Sequence, residues 1–299
     1  MAPIVVFSML KILPIVDSDE MADRRRCELD IPRSTAAALG RSAVEAGVRG
    51  YYVVRDNTNI DWSCEVRAAC KAKVSIPPDA PLPIPRTIHF TETRVQVANE
   101  TTLAASRRLF DDGFRPLALN FANGISPGGG FLNGARAQEE VLCRSSALFQ
   151  TLVDDEMYEQ HRQRPRPDST AWAIYSPDVP IFRSDNGKEL DRPWPLSILT
   201  CAAPYAPTIG QPEAGKLLRD RIHRILDIAR CYGYSALVLG AWGCGAFGND
   251  PRQTARDFRY ALENRFSRAF SRIVFAITDW SPERRFLGPF CEVFAPDDK

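Results

Sequence analysis

The sequence predicts an α/β fold, because strand-like and helix-like segments alternate along most of the 299-residue chain. Residues 117–121 form a short apolar run typical of a buried strand, and residues 236–239 form another. Residues 213–231 carry apolar side chains at spacings of three and four, which is typical of a long amphipathic helix. Alternation of this kind favours helices packed on a largely parallel or mixed sheet.

The N-terminal part of the chain predicts less regular structure. Residues 1–33 mix charges and prolines without a clear period, so no element is predicted there. Beyond them we expect an alanine-rich helix, a strand and a short helix, over residues 34–46, 51–54 and 64–72. The proline-rich segment 77–85 predicts a boundary between an N-terminal accessory region, residues 1–85, and a catalytic domain, residues 86–299.

The predicted catalytic domain continues the alternation of strands and helices. Asn99 is predicted to cap a helix that contains Leu103 and Phe110. The remaining strands are expected over residues 87–90, 94–97, 171–175, 196–201 and 273–278, and one more helix over residues 251–266. In open α/β sheets, ligands bind outside the carboxyl ends of the strands. The segments that follow residues 121 and 239 are therefore expected to line a binding site.

The composition argues against several classes of function. The formal net charge is +1, so we expect no sequence-specific nucleic-acid binding and no attraction to an anionic membrane. No apolar run is long enough to span a membrane. The eight cysteines form no Cys-x-x-Cys pair and the three histidines have no partner at ligand spacing, so neither a metal nor another cofactor is predicted. Scattered cysteines favour free thiols and an intracellular, cytoplasmic protein, or a nuclear one in a eukaryote.

The most informative segment joins a predicted strand to a predicted helix through three glycines, Gly128, Gly129 and Gly130. Glycine lets backbone amides approach an anionic ligand closely, and the amides that begin the following helix add partial positive charge. Two carboxylates, Glu139 and Glu140, stand at the start of that helix. Acidic residues are favoured there on electrostatic grounds alone. Beside an anion-binding loop, however, a carboxylate pair also favours chemistry on a phosphate-bearing substrate.

A second glycine-rich loop spans residues 240–251. Three glycines leave its backbone amides accessible to an anion, namely Gly243, Gly245 and Gly248. Three residues fit the N-cap, N1 and N3 positions of the next helix, namely Asp250, Pro251 and Gln253. A tight strand-to-helix connection alone would also explain this pattern. Cys244 has no histidine near it in sequence, so we interpret it as a small loop residue and not as a nucleophile.

The first segment also resembles a known catalytic motif. Three glycines, seven residues and then Gln138-Glu139-Glu140 resemble the signature of the poly(ADP-ribose) glycohydrolases, in particular the compact bacterial-type branch that also occurs in some fungi. The likeness continues through residues 174–180 and 240–251. It covers most of the chain from about residue 86 to its end and, more loosely, the part before it. This resemblance implies a three-layer α/β/α macrodomain with a mixed, largely parallel central sheet and a small N-terminal helical extension.

The resemblance also implies an activity. It is the hydrolysis of the ribose–ribose O-glycosidic bonds of poly(ADP-ribose), mainly from chain ends, with release of ADP-ribose. By this analogy Glu140 is the catalytic acid and base, and Glu139 positions the ribose hydroxyl groups. Adjacent helical residues point about 100° apart, which fits two separate roles. The implied partners are poly(ADP-ribose) or ADP-ribosylated macromolecules, and we expect the chain to act as a monomer.

Further residues are expected to bind substrate by the same analogy. Asn120 and Asn123 match positions that touch the distal ribose, although each also fits a purely conformational role in a turn. Phe247 matches an aromatic residue that packs on this ribose. The other expected contacts lie in the motif and in the two loops around the ribose and the diphosphate, namely Gly128, Gly129, Gly130, Gln138, Gly243, Cys244, Gly245, Ala246 and Gly248.

Two other functions fit parts of this pattern. A mono-ADP-ribosyl hydrolase that acts on protein or nucleic-acid adducts would use the same pocket, and a reader domain would bind ADP-ribose without turnover. The intact carboxylate pair argues against a reader, which needs no carboxylate at the anomeric bond. Asp279 fits either a functional residue or a turn residue before Ser281, and the arginine-rich loop 161–168 is interpreted as an exposed excursion.

Overall fold

The computed structural model describes residues 10–85 and 89–295, which form an eight-stranded sheet with helices on both faces and a separate two-stranded ribbon. The strands are β1 (Leu10–Ile12), β2 (Tyr51–Val53), β3 (Asn59–Asp61), β4 (Val74–Ile76), β5 (Thr93–Ala98), β6 (Pro116–Ala122), β7 (Ala173–Arg183), β8 (Glu189–Ala202), β9 (Ala236–Leu239) and β10 (Arg272–Ala276). The helices are α1 (Asp19–Leu29), α2 (Arg33–Arg49), α3 (Ser63–Ala72), α4 (Thr102–Asp111), α5 (Gln138–Ser145), α6 (Leu148–Leu152), α7 (Glu156–Arg162), α8 (Ala206–Ile209), α9 (Glu213–Cys231), α10 (Pro251–Glu263) and α11 (Leu287–Val293). A short 3-10 helix, Phe131–Asn133, precedes α5.

The sheet is mixed and largely parallel, as predicted. Its strand order is β1-β5-β10-β9-β6-β8-β7-β4, and the neighbours from β1 to β8 run parallel to one another. Among the described strands of the main sheet, only β7 runs antiparallel to its neighbours, β8 and β4, and the separate ribbon of β2 and β3 is antiparallel as well. Parallel order places the carboxyl ends of β6 and β9 side by side, and both glycine-rich loops begin at those ends.

Helices cover both faces of the sheet, so the fold has three layers. Alternate side chains of β6 enter different hydrophobic cores: Leu117 and Leu119 join one, and Ala118 joins the other. The first core includes the apolar faces of α9 and α10, and the second includes those of α2, α4 and α5. This alternation follows from the two-residue period of a strand. The predicted α/β class is thus confirmed.

The N-terminal region is more regular than the sequence predicts. Residues 10–12 form β1 through pairing with β5, and residues 19–29 form α1, in which Ser18 accepts a hydrogen bond from the amide of Met21. Neither element could be predicted from a local sequence pattern. The strand β1 depends on pairing with β5, and α1 is rich in charged residues and has no clear apolar face. β4 also joins the main sheet. The domain boundary near residue 85 stays a prediction, and segments on both sides of it share one sheet.

Two local predictions differ from the structure. Asn99 does not cap α4; the cap is Thr101, whose hydroxyl accepts a hydrogen bond from the amide of Ala104 at 2.9 Å. Asn99 is instead fully buried and donates to the Asp17 carboxylate and to the carbonyl of Asp279. These partners are distant in sequence, so no local pattern indicates them. The strand predicted over residues 87–90 lies partly outside the described residues.

Asp279 joins the end of β10 to helix α11. One of its carboxylate oxygens accepts from the amide and hydroxyl of Ser281, at 2.9 and 2.6 Å. The other oxygen accepts from the amides of Phe286 and Leu287, at 2.7 and 3.1 Å. The side chain is 4% exposed. These four bonds support the interpretation of Asp279 as a turn residue and not as a catalytic group.

We therefore expect Asp279→Ala to lower the free energy of unfolding by about 3 kcal/mol, because buried donors lose a charged acceptor. Urea denaturation would measure the change. Asp111→Ala is a matched control, since Asp111 forms an exposed pair with Arg107 and its loss should cost less than about 0.5 kcal/mol. Equal stability of the two variants would contradict the structural role of Asp279.

Candidate active site

A cavity of about 250 Å³ opens where the carboxyl ends of β6 and β9 meet the start of α5. It is lined by residues 121–123, 137–140, 241–243 and 245–247, together with Ala203. Eight of the predicted site residues are among them: Asn123, Gln138, Glu139, Glu140, Gly243, Gly245, Ala246 and Phe247. The other six do not line this cavity and lie in the segments that shape it: Asn120, Gly128, Gly129, Gly130, Cys244 and Gly248.

Glu139 is held in the floor of the cavity. Its side chain is 3% exposed, and one carboxyl oxygen accepts a hydrogen bond from the backbone amide of Asn123 at 2.7 Å. The other oxygen accepts from the side-chain amide of Asn120 at 3.2 Å. Burial raises the pKa of Glu139 to about 8, against the opposing effect of the hydrogen bond from Asn123, and the neighbouring Glu140 raises it further. Each oxygen of Glu139 thus accepts one hydrogen bond from the protein, which fixes the carboxyl group and leaves it able to accept a further bond.

Glu140 is held differently. Its oxygen Oε1 accepts a hydrogen bond from the amide of Gly130 at 3.0 Å. Its oxygen Oε2 has no hydrogen-bond partner among the described residues, although it is buried. A buried polar atom without a partner is unusual and often marks a functional group. Glu140 therefore has one oxygen that fixes its position and one that is available to a ligand.

Gln138 fastens the start of α5 to the sheet. Its side-chain oxygen accepts from the amide of Phe121 at 2.9 Å, and its side-chain nitrogen donates to the carbonyl of Leu119 at 2.8 Å. The same nitrogen donates to the hydroxyl of Thr102 at 3.0 Å, which adds α4 to the contact. All three bonds join the Gln138 side chain to the protein itself. They fix the first residue of α5 and thereby orient Glu139 and Glu140, which follow it on the helix.

Backbone conformation and the closeness of the carboxylates explain two of the three glycines, Gly128 and Gly129. Gly128 and Gly129 have φ angles of 69° and 60°, in the left-handed region that disfavours other residues. A side-chain carbon at Gly129 would lie 2.4 Å from the Oε1 atom of Glu140. A non-glycine residue at this position would therefore displace the carboxylate.

Hydrogen bonds from Asn249 hold the second loop in place, although no sequence pattern indicates this residue. Asn249 is buried, and its side-chain nitrogen donates to the carbonyls of Pro204 and Gly243, at 2.9 and 3.1 Å. Asp250 then caps α10 by accepting from the amide of Gln253, as predicted from the Asp-Pro-x-Gln pattern. The signal for Asn249 is weak because an asparagine in a loop is common.

Three consecutive backbone amides in this loop face no acceptor. The amides of Gly245, Ala246 and Phe247 donate no hydrogen bond to any described residue. A side-chain carbon at Gly245 would meet nothing within 4 Å, so the loop is open at this point. Successive free amides form a concave site that favours anions. The loop therefore has the donors that a phosphate group needs.

Phe247 and Cys244 occupy contrasting positions in the loop. Phe247 is partly buried, lines the cavity and packs edge-on against Tyr205, with ring centroids 5.8 Å apart. Cys244 is buried, and its thiol lies 3.6 Å from the hydroxyl of Thr254. Burial raises the pKa of Cys244 to about 12, so the thiol stays protonated at neutral pH. This supports the interpretation of Cys244 as a loop residue.

The two predicted asparagines serve the protein framework in this structure. Asn120 is fully buried, and it also donates to the hydroxyl of Thr200 at 3.2 Å. The side-chain oxygen of Asn123 accepts from the amides of Ile125 and Ser126, at 2.9 and 3.0 Å. Asn123 thus closes a turn with its side chain while its backbone amide binds Glu139. Contact with a ribose stays a prediction for both residues.

His161 supports the first glycine-rich loop through a contact at Gly124, and no sequence pattern predicts this role. It is buried, and its ring nitrogens lie 3.0 Å from the carbonyl of Gly124 and 2.7 Å from the hydroxyl of Thr170. Burial lowers the pKa of His161 to about 4, so the ring is neutral at pH 7. The loop between His161 and Asp168 is exposed over residues 162–167, as predicted, whereas His161 itself is buried. Gly124 is far from His161 in sequence, which hid the contact.

A second cavity, of about 260 Å³, adjoins the first and shares five lining residues with it, namely Phe121, Ala137, Gln138, Ala241 and Gly245. Its far wall includes Thr278, Trp280 and Phe286. The two cavities together suit an elongated ligand with one end at the carboxylates. The described residues contain no group of three or more side chains that could hold a metal ion. Within the same residues, no helix combines the length and apolarity needed to cross a membrane.

Comparison with known proteins identifies relatives of this architecture. The chain matches the model for the catalytic domain of microbial-type poly(ADP-ribose) glycohydrolase (PARG) over residues 40–184. The crystal structure of PARG from Thermomonospora curvata is 37% identical, with a TM-score of 0.82 over 87% of this chain and 99% of that chain. The chain belongs to the microbial-type PARG family. The matched region begins upstream of residue 86, so the family likeness extends further towards the N-terminus than the motifs alone indicate.

Two further structures of similar proteins contain ligands. PARG from Thermomonospora curvata bound to the inhibitor ADP-HPD is 37% identical and has a TM-score of 0.80, with coverage of 87% and 99% of the two chains. PARG from Deinococcus radiodurans in complex with ADP-ribose is 38% identical and has a TM-score of 0.69, with coverage of 77% and 96%. A search of curated proteins gave no match. As a PARG, the chain is an enzyme of the glycohydrolase class.

The glycine geometry gives a prediction about the carboxylates. We expect Gly129→Ala to lower the free energy of unfolding by about 1–3 kcal/mol, because it strains the backbone and pushes on Glu140. Gly245→Ala is the matched control, since it has neither a left-handed φ nor a neighbour within 4 Å, and it should change stability by less than about 0.5 kcal/mol. Urea denaturation of both variants would test this. A Gly129→Ala variant as stable as the native chain would refute the close packing against Glu140.

Proposed function

We propose that this protein hydrolyses the ribose–ribose O-glycosidic bonds of poly(ADP-ribose), mainly from chain ends, and releases ADP-ribose. The observation that carries the proposal is the carboxylate pair, in which Glu140 keeps one buried oxygen free at the cavity wall. Glycosidases commonly use two carboxyl groups, of which one protonates the leaving group. Membership of the PARG family and the ADP-ribose complex of a relative support the same assignment.

The reaction follows from the different environments of the two carboxyl groups. Glu140 gives its proton to the bridging oxygen while the bond from that oxygen to the anomeric carbon breaks, and the bonding electrons stay on the oxygen. The sugar passes through an oxocarbenium-like state. Water then adds to the anomeric carbon and returns a proton to Glu140. Glu139, held by Asn123 and Asn120, orients the ribose hydroxyl groups so that the anomeric carbon faces Glu140.

The diphosphate is placed at the second loop in this proposal. The amides of Gly245, Ala246 and Phe247 would donate hydrogen bonds to phosphate oxygens. They have no acceptor among the described residues, so they are available to a ligand. Phe247 would pack on the distal ribose, with its ring supported by Tyr205. The adjoining cavity would take the adenosine end of the ligand.

Substrate class, partners and location extend the proposal. We expect poly(ADP-ribose) or ADP-ribosylated macromolecules as partners, no cofactor, and a monomer. All eight cysteines are free thiols, which fits an intracellular compartment. Incubation with automodified polymer and, separately, with mono-ADP-ribosylated protein would test the substrate class. Release of ADP-ribose from polymer supports the proposal. Release from the mono-modified protein alone would make the chain a mono-ADP-ribosyl hydrolase, and binding without turnover would make it a reader.

Glu140→Gln should abolish hydrolysis and preserve ADP-ribose binding. The change keeps the shape of the side chain but removes the proton donor, so the rate should fall by at least ~10²–10⁴. Polymer turnover and calorimetric titration with ADP-ribose would measure the two effects. Glu45→Gln, at an exposed position on α2, is the control and should behave as the native chain. Turnover near the native rate would remove Glu140 from the catalytic role.

Phe247→Ala should lower turnover much more than it weakens ADP-ribose binding, because it loosens the ribose while the phosphate donors remain. A misplacement of around 1 Å can reduce a rate on the order of 10²-fold. Phe247→Leu should be intermediate. The melting temperature should change little, since Phe247 is only partly buried. A large loss of stability with normal turnover in the folded fraction would instead make Phe247 a core residue.

A further inference from the structure

Arg144 is a buried charge close to the carboxylate pair. It lies on α5, four residues after Glu140, so the two side chains share one face of the helix. The residue is 1% exposed. None of its three guanidinium nitrogens has a hydrogen-bond partner among the described residues. A guanidinium has five N–H donors and cannot lose its charge in a protein, so such a position needs a compensating neighbour.

The compensating charges are two acidic side chains. Burial lowers the pKa of Arg144, while Asp185 and then Glu140 act to raise it and Arg136 acts against them. Asp185 and Glu140 therefore stabilise the charged guanidinium. Each also has a buried oxygen without a partner, Oδ1 in Asp185 and Oε2 in Glu140. The two side chains that stabilise the charge of Arg144 thus each have one oxygen that accepts no hydrogen bond, and the guanidinium of Arg144 donates none.

Asp185 belongs to the turn between β7 and β8. Its second oxygen accepts a hydrogen bond from the hydroxyl of Thr101 at 2.6 Å, which fixes the side chain. Burial raises the pKa of Asp185 to about 6. Further charged groups surround this cluster, namely Glu139 on α5, Arg136 just before α5, Arg25 and Glu28 on α1, and Arg183 with Glu189 on the β7–β8 hairpin.

Helix α5 is attached to its neighbours at Arg144 through the backbone carbonyl and not through the guanidinium. The carbonyl of Arg144 accepts a hydrogen bond from Arg183 at 3.2 Å, and Arg183 also donates to the carbonyl of Leu39 at 2.9 Å. These bonds attach α5 to β7 and α2 through the backbone. A side chain that bears charge but makes no hydrogen bond here acts on its neighbours through electrostatics.

We propose that Arg144 is a positioning residue that stabilises the negative charge of Glu140 after Glu140 has given up its proton, and that Asp185 moderates this effect. The inference rests on the proposed hydrolysis, in which Glu140 changes from a neutral acid to an anion as the glycosidic bond breaks. A fixed positive charge on the same helix face makes this proton transfer more favourable. Asp185 attracts the guanidinium and offsets part of its charge, so it acts in the opposite direction.

Three variants separate this role from a purely structural one. Arg144→Gln removes the positive charge, Arg144→Lys keeps it, and Asp185→Asn removes the opposing negative charge. We expect Arg144→Gln to lower kcat about tenfold with little change in KM. The descending limb of its pH–rate profile should move up by ~1 pH unit, because the catalytic acid holds its proton more tightly. Arg144→Lys should recover most of the native profile, and Asp185→Asn should move the limb to lower pH.

The decisive result is that the pH–rate limb moves up in Arg144→Gln and down in Asp185→Asn. Loss of packing at either site would not move the limb in opposite directions. If Arg144→Gln does not fold, the downward shift in Asp185→Asn decides the test alone. Titration of ¹³C-labelled glutamate side chains by NMR follows the same charges without turnover. A native chain that shows no hydrolysis but the expected NMR shifts would overturn only the proposed reaction. Hydrolysis with unshifted profiles and unshifted titrations in all three variants would overturn the role of Arg144.

Discussion

The structure depends on the burial of two adjacent carboxyl groups at the start of one helix. Moving a carboxylate from water into a protein is costly unless hydrogen bonds or charges compensate it. Here the backbone amides of Asn123 and Gly130 bind one carboxyl group each, and the side chain of Asn120 supplies a third donor. The two backbone amides belong to the loop after β6 and Asn120 to β6 itself, so that loop must pass directly over the start of the helix. The left-handed glycines allow this close passage.

This constraint explains why the rest of the site is built from fixed parts. Gln138 ties the helix to β6 and α4, and His161 holds the loop at Gly124. The parallel order of the sheet then brings the second loop alongside, so that its three free amides belong to residues that line the same cavity as the carboxyl pair. One oxygen of Glu140 is left without a protein partner. A carboxyl group that is fixed through one oxygen and keeps the other available, beside a loop with free amides, suits catalysis better than passive binding.

Much of the fold could be predicted from local patterns. Helix α9 spans the predicted residues 213–231, because its apolar stripe is strong, and the cap at Asp250 follows from the residues around it. The catalytic segment could be predicted because its glycines and carboxylates are adjacent in sequence. Prediction failed where stability comes from distant partners. The strand β1 pairs with β5, and Asn99 bonds across the fold to Asp279. The charge of Arg144 on α5 is stabilised by Asp185, which lies in the distant turn between β7 and β8.

The central claim is that this site breaks the bond at the anomeric carbon of the distal ribose. Hydrolysis of poly(ADP-ribose) in H₂¹⁸O, sampled early enough to limit exchange of the free sugar with water, tests this claim most directly. Mass spectrometry should find one ¹⁸O on the terminal ribose of the released ADP-ribose and none on its phosphates. Label on a phosphate, with phosphoribosyl-AMP as the product, would place the cleavage at the diphosphate and contradict the account.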